Sequence, residues 1–107
     1  MPRFGSLVDG ATPSAGAESF TELAQAGGAR VERIASHAVT NGEWHEQAWP
    51  EFVLLVAGSA ALEFADGSTR NLKRGDWAFL PAHCRHCVTW TDPAGETLWL
   101  AVHLPTG

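Results

Sequence analysis

Apolar and polar residues alternate in short runs along most of the chain, and the alternation predicts strands rather than helices. From Ala29 to His37, Val31, Arg33, Ala35 and His37 share one face, with Glu32, Ile34 and Ser36 on the other. Further runs fall at 43–48, 51–57, 60–65, 69–72, 77–80, 86–90 and 97–103. Turn residues separate them: Asn41-Gly42, Gly58-Ser59, Asp66-Gly67, Gly75-Asp76 and Asp92-Pro93-Ala94-Gly95. Many short strands joined this way predict an all-β antiparallel sandwich or barrel, with no βαβ alternation. In Phe52-Val53-Leu54-Leu55-Val56 both parities are apolar, so both faces of that strand need burial. The odd face continues from Glu51 and would line the interior. The even face, Phe52, Leu54 and Val56, needs a cover: the N-terminal segment or a second subunit.

The first 16 residues are rich in Gly, Ala, Ser and Pro and read as an arm. Ser19-Phe20-Thr21-Glu22 fits a capping box, and Gly27-Gly28 fits a helix stop. The expectation is a short N-terminal helix of two turns over 20–26, with an irregular tether as the alternative. The chain then divides into an arm and helix, 1–28, and a β-barrel domain, 29–107.

At 107 residues and 45% apolar content, one domain with a real core is expected. A net charge of −5 gives no electrostatic reason to expect nucleic acid or an anionic membrane as partner. The uncharged run Phe52–Leu62 is too short to span a bilayer, and the N-terminus lacks a signal-peptide core, so a cytoplasmic protein is expected. Cys84 and Cys87 make no disulfide framework. A Cys-x-x-Cys zinc site would want a second pair, and a redox site a βαβ context, so they read as structural.

The chemistry concentrates at residues 45–51. His45 and Gln47 are two apart, which places them on one face of an extended segment, about 7 Å apart. Pro50 predicts a bend, and Glu51 then leads an apolar strand, where an unpaired carboxylate would be costly. A metal ion is one partner for it. A hydrogen bond from Gln47 or a tryptophan N–H is another. Five tryptophans and no tyrosine predict mostly core or interface indoles. Trp49 shares parity with the donors and is a candidate pocket wall. His103 shares parity with Trp99 and Ala101 and is a candidate pocket residue, as a base behind the donors.

These spacings resemble the small cupins. Their first motif sets two histidines, a glutamate and a glycine at the spacing of His45, Gln47, Glu51 and Gly58, with Gln47 where the second histidine stands. Their second motif matches Gly75, Pro81 and His86, while His83 and Trp90 replace a family glycine and asparagine. The resemblance covers roughly residues 29 to 104 and implies a single antiparallel jelly-roll (cupin) barrel. It implies a metal set of His45, Gln47, Glu51 and His86 for a divalent transition metal such as Zn, Fe, Mn or Ni. Two imidazoles, a carboxylate and an amide suit such an ion and leave open positions for a ligand. It further implies a small-molecule substrate or ligand and a homodimer. Dioxygenase, isomerase and lyase chemistry all occur on this fold. The other expectations are a non-catalytic ligand-binding or sensing barrel without a functional metal, and a structural dimer module.

Overall fold

The computed structural model describes residues 1–106. Nine strands run in chain order: β1 (Glu18–Ala26), β2 (Ala29–His37), β3 (Trp44–His45), β4 (Glu51–Ala57), β5 (Ser59–Phe64), β6 (Thr69–Lys73), β7 (Trp77–Leu80), β8 (His86–Thr91) and β9 (Glu96–His103). They form two antiparallel sheets, one ordered β1-β2-β9-β4-β7 and the other β3-β8-β5-β6. This is the jelly-roll arrangement, in which two sheets face each other across one interior. Gly58 alone separates β4 in one sheet from β5 in the other, with φ 86°. A Cβ there would come within 2.8 Å of the Thr97 Cα, so this corner admits only glycine.

The expected helix over 20–26 is absent; those residues lie in strand β1. Two turns of helix are marginal alone, whereas the edge of β2 offers a full ladder of hydrogen bonds. β1 pairs with β2 from Glu18↔Ser36 to Ala26↔Ala29, with a bulge between Glu22 and Ala24. Gly27 and Gly28 both adopt positive φ, 57° and 84°, and so form a two-residue hairpin turn rather than a helix stop. The arm passes over the outer sheet face, where Arg33 Nε donates to the Leu7 carbonyl at 2.6 Å.

The odd face of β4 faces inward: Glu51, Val53 and Leu55 are all buried. Leu55, Val39, Ala60 and Ala101, each at most 1% exposed, fill the Gly58 end of the interior. At the opposite end the inward positions turn polar. Glu51 opens β4, His103 closes β9, Arg30 lies near the start of β2, and Glu51↔His103 and Arg30↔His103 are register partners. His86 opens β8 and pairs with His45. One end of the barrel is therefore core, and the other is lined with titratable groups. Among the described residues no helix is long and apolar enough to cross a membrane.

Candidate functional site

The polar end holds a cavity of about 320 Å³. Its floor is apolar, made by Ile34, Val53, Leu62, Val88 and Trp99. His45, Gln47, Glu51 and His86 all line it, as does His103. Cross-strand pairing puts His45 and His86 on the same face, with ring centroids 6.0 Å apart. Gln47 sits in the segment between β3 and β4, where its carbonyl accepts the His83 backbone N–H at 2.7 Å. That contact ties the donor segment to the turn preceding β8, in which His83 itself adopts φ 65°.

The hydrogen bonds decide which atoms remain available. Gln47 Nε2 donates to Glu51 Oε1 at 2.6 Å, which leaves the amide oxygen of Gln47 unspent. His86 Nδ1 lies 2.9 Å from the Cys84 carbonyl, which can only accept, so Nδ1 carries the proton and the Nε2 lone pair stays free. A second atom held by a backbone carbonyl is the usual way a ligating imidazole is oriented. The donor types thus fit a divalent transition metal. Their positions are looser than a closed site: no group of three or more His, Cys, Asp or Glu among the described residues converges closely enough to hold an ion.

The other wall works differently. Trp49 Nε1–H donates to His103 Nδ1 at 2.9 Å, so the proton of His103 is on Nε2, where it donates to Glu32 Oε1 at 3.0 Å. His103 is therefore a neutral link with both nitrogens engaged, and its lone pair is not available to act as a base. A parallel relay runs from Trp99 Nε1–H to Ser36 Oγ at 3.1 Å and from Ser36 O–H to Glu18 Oε2 at 2.6 Å. Each relay starts at an indole and ends at a carboxylate that lines the cavity. Trp49 does not line this cavity. It lines an adjoining one of about 330 Å³, together with Gly28, Arg30, His103, Pro105 and Thr106.

Apart from the apolar floor, four cavity residues escaped the sequence reading: Glu18, Phe20, Arg30 and Glu32. Glu18 and Phe20 lay within or beside the expected helix. The Phe20 ring stands edge-on to His45, centroids 6.3 Å apart, at a half-exposed position on the cavity rim. Arg30 and Glu32 share a face of β2 with Ile34, and that alternation was the available signal. The face that looks more polar is the one that points inward. Of the tryptophans, Trp99 is buried, while Trp44, Trp77 and Trp90 are exposed at 38%, 62% and 41%.

Cys87 lies opposite Trp44 and Glu63 in the register, while His86 lines the cavity. Burial, and then the Asp66 carboxylate, push the Cys84 thiol above its ordinary range. Burial, and then Glu63, raise Cys87, with Arg85 opposing. Both thiols are thereby poor nucleophiles and poor metal ligands at neutral pH.

The model of the cupin domain family matches residues 30–103. The chain belongs to the cupin family. A protein of Ralstonia eutropha JMP134, provisionally named a mannose-6-phosphate isomerase, is 40% identical; the match covers 98% of this chain and 100% of that one, with a TM-score of 0.84. An uncharacterized conserved protein with a double-stranded β-helix domain from Klebsiella pneumoniae shares the fold at TM-score 0.81 and 18% identity, over 98% of this chain and 91% of that one. A DMSP lyase of Ruegeria pomeroyi DSS-3 superposes at TM-score 0.72 and 18% identity, over 82% of this cupin and 47% of the lyase. No curated protein sequence matches this cupin.

Proposed function

We propose that this cupin is a metal-dependent isomerase or lyase of a small organic molecule bound in the polar end of the barrel. The observation that carries the reading is the pair of unspent donor atoms, Gln47 Oε1 and His86 Nε2, facing a cavity that His45 and Glu51 also line. His45, Gln47, Glu51 and His86 would hold a divalent transition metal, with Gln47 as the weakest donor. Such an ion supplies Lewis acidity at its open positions. Isomerisation and elimination both need a group that takes a proton, which isomerisation returns to a different atom and elimination passes to the leaving group or to water. Glu32 and Glu18 suit that role, since each is held through one oxygen while the other is free. Nothing in this wall favours oxygen chemistry over proton transfer. The interior is not packed shut by tryptophan, which weighs against a purely structural module.

A second reading, a metal-free ligand-binding barrel, draws on the Gln47–Glu51 hydrogen bond and on the absence of a closely converged donor group among the described residues. Elemental analysis of untagged protein purified without chelators separates the two. About one transition metal per chain is expected. No metal after soaking with several divalent ions would hand the site to the metal-free reading.

We also infer a homodimer through the outer face of the larger sheet. Phe52 stacks on Trp77 with centroids 5.5 Å apart, and Trp77 and Phe79 are 62% and 52% exposed beside it. Leu54 and Leu100 are register partners on the same face. Sedimentation should give twice the chain mass, and a single-chain mass would remove this inference.

A further inference from the structure

We propose that Arg30 is the recognition point for an anionic group, a carboxylate or a phosphoryl, on the molecule that occupies the cavity. The proposal rests on the reading that the barrel binds a small organic ligand, and it names that ligand's chemical class. Among the described residues Arg30 is the only Lys or Arg that lines either cavity, and it lines both. No carboxylate among the described residues pairs with it. Each carboxylate of the main cavity has one oxygen bonded to another side chain: Glu18 to Ser36, Glu32 to His103 and Glu51 to Gln47. Among the described residues the adjoining cavity has no Asp or Glu in its lining, and Arg30 is the one Lys or Arg there. An anion placed there meets the guanidinium with none of the three carboxylates of the main cavity in the lining.

The guanidinium is also held in place. Its Cζ lies 5.5 Å from the centroid of the Trp49 ring, and that indole is fixed by the bond to His103 and, through it, to Glu32. A guanidinium attracted to an aromatic face keeps its N–H groups for an oxyanion, and no side-chain hydrogen bond among the described residues occupies those of Arg30. A ligand with its anionic end beside Arg30 would reach past His103, shared by both cavities, toward His45 and His86.

The test uses the full-length protein and the indole N–H signals of its NMR spectrum, with the Trp49 signal assigned by its loss in Trp49→Phe. Inorganic phosphate, acetate and uncharged glycerol are titrated at constant ionic strength. A saturable shift of the Trp49 signal with phosphate or acetate, and none with glycerol, is expected. The stronger of the two anions identifies a phosphoryl or a carboxylate ligand. Arg30→Gln should weaken the response at least about tenfold, and Arg30→Lys less, because charge survives without the fork. The remaining indole signals of Arg30→Gln report that it is folded. A Trp49 signal that never moves, or moves at the same anion concentration in Arg30→Gln, overturns the proposal. Elemental analysis of the same wild-type preparation reports the donor set separately. Missing metal with intact anion binding removes only the metal reading, and the reverse removes only Arg30.

Discussion

The wall built from β3, β8, the start of β4 and Gln47 between them leaves Gln47 Oε1 and His86 Nε2 unspent toward the cavity, whereas the wall built from β1, β2 and β9 commits the Trp99, His103 and Ser36 protons to partners, with Trp49 bonded to it from the β3–β4 segment. Both walls contain histidine and glutamate. Residue type therefore does not separate a ligand from a structural polar group; the fate of each lone pair does. An imidazole with one nitrogen on a carbonyl keeps a donor atom, and an imidazole bonded at both nitrogens does not.

The largest expected effect falls on the first wall. Glu51→Ala and His86→Ala should each drop copurified metal below about one tenth of the wild-type content, read by elemental analysis. Unchanged content in both would erase the distinction between the walls. On the second wall, His103→Leu strands the Trp49 N–H and the Glu32 carboxylate together. It should cost about 2–3 kcal/mol in urea unfolding while leaving the metal content as it was. A metal loss as deep as that of His86→Ala would mean that the two walls act as one. Ser36→Ala cuts the shorter relay and leaves only the buried Trp99 N–H and the Glu18 oxygen unpaired. About 1–2 kcal/mol of destabilisation is expected from the same measurement. The smallest effect concerns the thiols, which belong to neither wall. Their raised pKa means less thiolate at neutral pH, so iodoacetamide should label Cys84 and Cys87 more slowly in the native protein than in urea. The linked stability is complete below the unfolded thiol pKa and is lost as pH rises through the higher folded value. Native labelling as fast as in urea would contradict the burial of Cys87 and the partial burial of Cys84.

The barrel was legible because its signals are local. The glycines and Asp/Asn turns mark the corners, and the doubly apolar 51–57 run marks a strand buried on its inner face and half-buried on its outer one. His45 and His86 could be placed opposite each other only through spacing shared with a family, since nothing local pairs residues 41 positions apart. The second wall was hidden for two physical reasons. The capping-box residues Ser19 and Glu22 carry a helix signal that sheet pairing overrides, so Glu18 and Phe20 went unseen. On β2 the usual rule inverts, because an open cavity tolerates Arg30 and Glu32 inside while Arg33 is buried outside, beneath the arm and beside Glu96 at 3.6 Å. The tryptophans divide: Trp99 is core, while Trp77, with Phe79, lies on an outer face that one chain does not cover.

β1 contributes Glu18 and Phe20 to the cavity rim, yet most of its residues are exposed and it hangs from the sheet by one neighbour and two glycines. It also lies outside the segment that matches the family model. Substitutions there change the cavity rim without disturbing the core that folds the chain. Selection can thus rewrite this ribbon at little risk to the barrel, and if the cavity binds as proposed, descendants of this gene would diverge in ligand preference there first.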